Sequence, residues 1–163
     1  MKEDLFAYMD AINGQLTKAA SNIWQNPEKA LEEVYACDLQ IAMLEKAGFK
    51  INRNIPGMST AFVAEFGQGS PVLGVLGEYD ALPGLSQQVS GSYNPIKEQE
   101  NGHGCGHNLL GVAGIGAVLA IRELLEQDGF NGTVRYYGCP AEETLTGKVI
   151  MAKEGVFNDL DAC

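Results

Sequence analysis

Histidine and cysteine side chains are concentrated in one short segment of this chain, residues 101–108 (NGHGCGHN), where single glycines separate them. The segment holds both histidines of the protein, His103 and His107, and one of its four cysteines, Cys105. Neutral imidazole and thiolate are the ligands that borderline-soft transition metals prefer, and glycine spacers let a loop fold back so that neighbouring side chains converge. The spacing therefore predicts a metal site. The alternative is a glycine-rich turn with incidental polar residues.

Two adjacent acids, Glu142 and Glu143, add a carboxylate ligand and a proton acceptor. Taken alone, such a pair is typical of a solvated strand end. Beside a metal, one carboxylate can bind the ion while the other takes a proton from water, so the two clusters together predict a metallohydrolase. A purely structural zinc site is the weaker alternative, because it would need further ligands at short spacing and Cys139 and Cys163 are isolated.

Asp80 is a further candidate, since it follows an apolar strand and precedes Pro83-Gly84. It is either a turn residue or the group that holds the second ring nitrogen of a histidine ligand in the right tautomer.

Nucleotide binding has no support in the sequence. The glycines of residues 111–116 do not match a dinucleotide fingerprint, and Gly147-Lys148 lacks the upstream glycine and the following Ser or Thr of a phosphate loop.

The period of the apolar residues predicts a layered α/β fold that would position these groups. Helices are expected over residues 4–25, from Pro27 to Gly48, over residues 109–125 after an Asn108 cap and before Gly129, and over residues 148–154; strands are expected over residues 50–55, 60–66, 72–77 and 133–137. A strand, a helix and a strand in succession predict a parallel crossover. Ligands of open α/β sheets bind beyond the carboxyl ends of the strands, where all three polar clusters are expected to meet.

The charge and composition of the chain exclude some classes of binding partner. The net charge of −10, from 21 acidic against 11 basic residues, repels phosphate backbones, so nucleic acid is not an expected partner. No apolar run reaches the roughly 20 residues that a bilayer crossing needs, so membrane insertion is not expected either. The N-terminus (MKEDLF) lacks the features of a secretory signal, so we expect a cytoplasmic protein with reduced thiols and no disulfides.

Three motifs carry a resemblance to a known family. They are GEYDALPGLS at residues 77–86, GHGCGHNLLG at residues 102–111, and PAEE at residues 140–143 followed by GKV at residues 147–149. In this order and at these separations the chain resembles the aminoacylase/carboxypeptidase-type zinc metallopeptidases, specifically their amidohydrolase branch. The resemblance implies a three-layer α/β/α zinc-peptidase-like catalytic domain with a mostly parallel central sheet.

The resemblance also implies roles for individual residues. Cys105, His107 and Glu143 would be ligands of a two-metal centre that takes zinc or manganese, and the thiolate favours zinc. The catalytic residues would be Glu142, as the general base, and Asp80, which orients the site from behind. His103 would belong to the loop architecture or contact a ligand rather than bind metal. The reaction implied is hydrolysis of the amide bond of a small molecule: an N-acyl amino acid, a dipeptide or an aminobenzoyl-glutamate-like compound.

The chain departs from the family pattern in two ways. Residues 144–146 (TLT) stand where the family usually has small glycine-type residues. Members of the family are also more than twice as long, with further histidine ligands and a lid domain for dimerisation. We therefore expect residues 1–163 to be the N-terminal part of a catalytic domain without the lid and the C-terminal part, incomplete as an enzyme alone, and to self-associate or to need a complementing chain. The alternative is an inactive metallohydrolase remnant that acts as a binding or assembly module.

Overall fold

The computed structural model describes residues 2–98, 100–127 and 131–163. Within these ranges the chain forms four helices and four strands: α1 (Lys2–Gln25), α2 (Val34–Lys46), β1 (Lys50–Asn52), β2 (Phe62–Gln68), β3 (Val72–Glu78), α3 (His107–Gln127), β4 (Gly132–Cys139) and α4 (Gly147–Lys153). Each helix and strand expected from the sequence is present, with its ends displaced by a few residues. The expected end of α3 at Gly129 lies outside the described residues.

The start of α2 is the largest displacement. The residues between α1 and α2 are not helical, and Leu31 has a positive φ of 66°. Glu28 caps α2 from upstream instead, since its carboxylate accepts the backbone N–H groups of Tyr35 at 2.9 Å and Ala36 at 3.0 Å. The N–H groups of a first turn have no acceptor within the helix, and a carboxylate there also complements the positive helix terminus. The expected start at Pro27 is therefore wrong.

The four strands form one sheet in the order β1-β2-β4-β3. β3 and β4 are parallel, and α3 makes the crossover between them, as the strand–helix–strand order predicted. β2, however, runs antiparallel to both β1 and β4. The α/β class is confirmed, but the sheet is mixed rather than mostly parallel. The reason is that residues 53–61 reverse the chain between β1 and β2, and β4 then inserts between β2 and β3.

Apolar layers cover both faces of the sheet. On one face, α1, α2 and α3 enclose a core that includes Ile115, Val134 and Tyr136. On the other face, Met151 of α4 packs with Tyr137. Successive residues of β4 thus enter opposite cores, as the two-residue period of a strand requires. This arrangement agrees with the three layers expected from the sequence.

By length and composition alone, residues 107–126 of α3 could cross a membrane, although polar residues such as Asn108 and Arg122 interrupt the apolar run. The core helix of a soluble protein meets the same test. α3 packs against β3 and β4, and its Val112, Ile115 and Val118 are at most 3% exposed. Burial against the sheet accounts for the apolar composition of this helix.

Candidate metal centre

Three segments meet at one edge of the sheet. Glu78, the last residue of β3, pairs with Cys139, the last residue of β4. Residues 78–80 leave β3 there, residues 140–146 leave β4, and α3 begins at His107. Because the carboxyl ends of neighbouring parallel strands open to the same side, this edge is where ligands bind in such sheets. It collects all three segments that carry predicted site residues.

Glycines shape the loop that precedes α3. Leu82 and Gly102 exchange two backbone hydrogen bonds, of 3.1 and 2.9 Å, which close the long loop between them. A Cβ on Gly102 would overlap the backbone of Leu85, so a larger residue does not fit there. Gly106 has a φ of +82°, a left-handed conformation that glycine adopts at little cost, and it turns the chain from Cys105 into α3.

His107 is buried, and its two ring nitrogens face different groups. Nδ1 lies 3.0 Å from Asp80 Oδ1 and 3.1 Å from the Asp80 carbonyl oxygen. Both oxygens are acceptors, so Nδ1 carries the hydrogen and Nε2 is turned toward a group of carboxylates. The hydrogen bond to Asp80 outweighs burial and raises the pKa of His107. This is the contact expected of an aspartate that orients a histidine ligand from behind.

Asp80 itself is 1% exposed. Burial works to raise the pKa of Asp80, but the hydrogen bonds from His107 and from the backbone N–H of Glu143 together lower it. The bond from Glu143 measures 2.9 Å and reaches the second carboxylate oxygen of Asp80. Asp80 therefore stays ionised and joins the start of α3 to the turn after β4.

The three side chains predicted as metal ligands, those of Cys105, His107 and Glu143, converge. Their sulfur, nitrogen and oxygen atoms all lie within 4.8 Å of one another. Glu143 Oε1 is buried and has no hydrogen-bond partner among the described residues, at 3.9 Å from His107 Nε2. Cys105 is an exposed free thiol, and desolvation followed by the charge of Glu143 raises its pKa. The structure therefore places one thiol, one imidazole and one carboxylate around a common point.

A second group of donor atoms shares His107. It consists of Glu78, His107 and Glu142, again within 4.8 Å of one another. From His107 Nε2, Glu78 Oε2 is 3.2 Å away and Glu142 Oε2 is 3.7 Å away. The Glu142 side chain is 31% exposed, against 15% for Glu78 and 19% for Glu143. Glu142 is thus the carboxylate of this site most open to a water molecule.

Glu78 and Lys148 are absent from the residues predicted for the site. The other carboxylate oxygen of Glu78 forms an ion pair with Lys148, in the first turn of α4. Glu78 did have a signal in the sequence, because it lies two residues before Asp80 and extended residues two apart project to the same side. Lys148 has no such signal beyond its nearness to Glu143 in the chain.

A buried carboxylate holds the turn that carries residues 142–143. Ala141 and Leu145, on either side of that pair, have positive φ angles of 56° and 57°, a conformation that costs energy for residues with a side chain. Glu33 is fully buried and accepts the backbone N–H of Ala141 at 2.8 Å and the hydroxyl of Thr60 at 3.0 Å. Burial raises the pKa of Glu33. Nothing in the sequence distinguishes Glu33 from its exposed neighbour Glu32.

His103 does not join the ligand atoms. Neither group of donor atoms found among the described residues includes it. Both of its ring nitrogens are buried without a hydrogen-bond partner among the described residues, and burial lowers the pKa of His103. Its position agrees with a place in the loop architecture rather than among the ligands.

Comparison of the sequence with known proteins shows to which family this chain belongs. Residues 74–163 match the model of peptidase family M20/M25/M40, and this segment holds all the residues of the cluster. The chain belongs to peptidase family M20/M25/M40. The match begins inside β3 and covers more than half of the 163 residues.

Two relatives match almost the whole chain but are much longer. The chain is 48% identical to one of the subunits of p-aminobenzoyl-glutamate hydrolase from Escherichia coli (strain K12), over 98% of its own length and 34% of that protein. It is 28% identical to hippurate hydrolase of Campylobacter jejuni over 93% of its length and 38% of that protein. The chain thus spans little more than a third of these relatives.

A solved structure supports the M20 assignment. The crystal structure of the Bacillus subtilis YXEP protein, described as a dinuclear metal-binding peptidase of the M20 family, matches with a TM-score of 0.78 at 25% identity. The match covers 93% of this chain and 41% of that one. The resemblance to zinc metallopeptidases found in the sequence is therefore confirmed at the level of family and fold.

Proposed function

We propose that this protein is the N-terminal part of a metal-dependent amidohydrolase that cleaves amide bonds of small N-acyl amino acids or dipeptides. The observation that carries the proposal is the convergence of Cys105, His107 and Glu143 at the edge where β3 and β4 end. Membership of the M20 family supports it, as does the dinuclear metal site named for the Bacillus subtilis structure.

The residues present fit a metal ion. Glu143 Oε1 is a buried acceptor without a hydrogen-bond partner among the described residues, and a buried oxygen of this kind is costly unless a cation or donor faces it. His107 presents Nε2 to the same point because Asp80 holds Nδ1. Thiolate, imidazole and carboxylate together form a donor set for zinc, and the sulfur of Cys105 favours zinc over manganese. Cys105, His107 and Glu143 would hold the ion.

When bound, the metal supplies Lewis acidity, which polarises a scissile carbonyl and makes water more acidic. Among the residues of this chain, Glu142 would act as the general base. Its carboxylate is the most exposed of those facing His107 Nε2, so it can take a proton from water and pass it to the leaving amine. Asp80 fixes both His107 and the backbone of Glu143, so it is a positioning residue.

The substrate class is proposed from the relatives. One is named as a hydrolase of p-aminobenzoyl-glutamate and another as a hydrolase of hippurate, and both compounds join an acyl group to an amino acid through an amide. We propose an aminobenzoyl-glutamate-like compound as the first substrate to test, because the relative with that name is 48% identical to this chain.

We also propose that further segments complete the active enzyme. Each ion of a hydrolytic zinc centre typically needs about three protein ligands, so the three predicted ligands of this chain cannot complete the coordination of two ions. The similar protein in Escherichia coli is named as one of the subunits of a hydrolase, and this chain covers only 34% of its length. A complementing chain or a second copy of this chain would supply the missing ligands.

The test combines metal analysis with an amide hydrolysis assay on the purified 163-residue chain. We expect stoichiometric zinc or manganese after dialysis, and release of glutamate from p-aminobenzoyl-glutamate when the remaining segments of a longer M20 relative are supplied. Glu142→Gln should keep the metal and lower kcat by about 10²- to 10⁴-fold, because it removes only the proton acceptor.

Glu154→Gln is the matched control, since Glu154 is an exposed acid beyond the end of α4. It should change neither metal content nor rate. A chain that retains no metal after dialysis, or that shows no hydrolysis with metal and the supplied segments, would contradict the proposed function.

A further inference from the structure

We infer that Glu78 is a further ligand of the metal centre, bound through Oε2, and that Lys148 is the residue that positions it. The inference rests on the proposed metal-dependent function and extends its ligand set beyond Cys105, His107 and Glu143. Glu78 ends β3, so its backbone is fixed by the parallel pairing with β4, and its side chain is only 15% exposed.

Distance is the first argument. Two nitrogen or oxygen ligands that each lie about 2.0 Å from a tetrahedral zinc ion are about 3.3 Å apart. Glu78 Oε2 lies 3.2 Å from His107 Nε2, which is the separation of two ligands that share one ion. Glu142 Oε2, at 3.7 Å, and Glu143 Oε1, at 3.9 Å, are farther from the same nitrogen. Glu78 is thus the carboxylate nearest to ligand geometry with His107.

Orientation is the second argument. Both oxygens of the Glu78 carboxylate have a partner, because Oε1 pairs with Lys148 while Oε2 faces His107. A fixed side chain loses little conformational entropy when it binds a metal. Lys148 lies in the first turn of α4 and pairs with Oε1 of Glu78, so Oε2 is the oxygen of this carboxylate that faces His107.

Charge is the third argument. Glu78, Asp80, Glu142 and Glu143 bring four carboxylates to one partly buried edge. Carboxylates this close repel one another, and among the ion pairs of the described residues Lys148 pairs with Glu78 alone. Glu143 Oε1, which lies 3.9 Å from the His107 Nε2 that both groups of donor atoms share, is buried without a hydrogen-bond partner among the described residues, so a cation at this edge would stabilise it. An additional carboxylate ligand also helps to fill the coordination that three ligands leave short.

The simplest competing account is that Glu78 only neutralises a protonated His107. Titration of the metal-free 163-residue chain with Zn²⁺ by calorimetry separates the two accounts when Glu78→Gln is compared with wild type. Loss of a ligand should weaken zinc binding by about tenfold or more. In the Co²⁺-loaded chain, the d–d bands should change while the thiolate–cobalt band of Cys105 persists.

Glu65→Gln is the matched control. Glu65 is also a strand glutamate in an ion pair, with Arg135, but it belongs to neither group of donor atoms. Its replacement should leave zinc affinity and the cobalt spectrum unchanged. Zinc affinity and d–d bands of Glu78→Gln that equal those of wild type would overturn the ligand role of Glu78 and leave the proposed function intact. A wild-type chain that binds neither zinc nor manganese would overturn both.

A crystal structure of the zinc-soaked wild-type chain provides a test that does not depend on the folding of any variant. We expect Glu78 Oε2 at about 2.0–2.2 Å from zinc. A Glu78 carboxylate that binds only Lys148 and ordered water in that crystal would overturn the inference.

Discussion

The carboxylate of Asp80 accepts the backbone N–H of Glu143 at 2.9 Å. One oxygen of Asp80 is used in this bond, and the other faces His107 Nδ1 at 3.0 Å. A single buried side chain therefore sets the position of two predicted metal ligands, which come from segments more than thirty residues apart in the chain. Loss of its charge should disturb both at once.

Asp80→Asn tests this link. The amide retains only one good acceptor, so either His107 loses its orientation or the N–H of Glu143 loses its partner. We expect zinc affinity, measured by calorimetry, to fall by about 10- to 100-fold. Asp161→Asn is the control, since Asp161 accepts the backbone N–H of Val72 at 2.7 Å away from the site. Equal losses in both variants would mean that the effect is on the fold and not on the site.

Zinc should protect one cysteine selectively from alkylation. Cys105 and Cys163 are both exposed, whereas burial raises the pKa of Cys37 and of Cys139 to about 12, so that neither forms the thiolate readily. Iodoacetamide should therefore modify Cys105 and Cys163 in the metal-free chain. Added zinc should slow the modification of Cys105 and leave Cys163 unchanged, as followed by peptide mass spectrometry. Protection of neither thiol, or of both equally, would speak against Cys105 as a ligand.

Glu33 should make the stability of the protein depend on pH. Burial raises the pKa of Glu33 above the ordinary value of 4.5. The stabilisation of the folded state by protonated Glu33 is therefore fully present below pH 4.5 and is lost as pH rises through the folded-state pKa. Glu33→Gln keeps the shape without the charge. We expect the free energy of unfolding, from urea titrations at successive pH values, to fall less with rising pH in Glu33→Gln than in wild type.

The neighbour Glu32 provides the control, because its side chain is 66% exposed. Glu32→Gln should keep the pH slope of wild type. Glu33→Ala should in addition cost about 1–3 kcal/mol at any pH, since it leaves the N–H of Ala141 and the hydroxyl of Thr60 without their acceptor. Parallel pH slopes for wild type and Glu33→Gln would contradict the assignment of a raised pKa to this residue.

Two glycine-to-alanine changes should have opposite signs. A Cβ on Gly111 of α3 would lie 2.5 Å from the carbonyl oxygen of Glu78, so Gly111→Ala should push α3 from the end of β3 and destabilise the fold by about 1–3 kcal/mol. Gly14 of α1 has open space around it, and Gly14→Ala should stabilise the protein by about 0.5–1 kcal/mol through helix propensity. Thermal and urea unfolding measure both. A stabilising Gly111→Ala would show that the approach of α3 to β3 is not tight.

Local patterns predicted much of this structure. The apolar periods of α1, α3 and β3, and the parallel crossover from β3 to β4, are properties of short stretches of chain, and each is present. Patterns of this kind failed where a distant group intervenes. α2 begins at Val34 rather than near Pro27 because the carboxylate of Glu28 reaches its first turn. The antiparallel pairing of β2 with β4 likewise joins strands far apart in sequence.

The sequence by itself determined the donor types and their grouping: Cys105 and His107 on one glycine-rich loop and Glu143 in an acidic pair after a strand. Residue type fixes which chemistry is available, and short spacing fixes what can converge locally. Only the tertiary structure decided which nitrogen of His107 faces the site and that Glu78 Oε2 lies 3.2 Å from that nitrogen. It also decided that the buried Glu33 holds the turn after β4 through the backbone N–H of Ala141. These are contacts between segments 27 to 108 residues apart, and their geometry depends on how β3, β4 and α3 pack together.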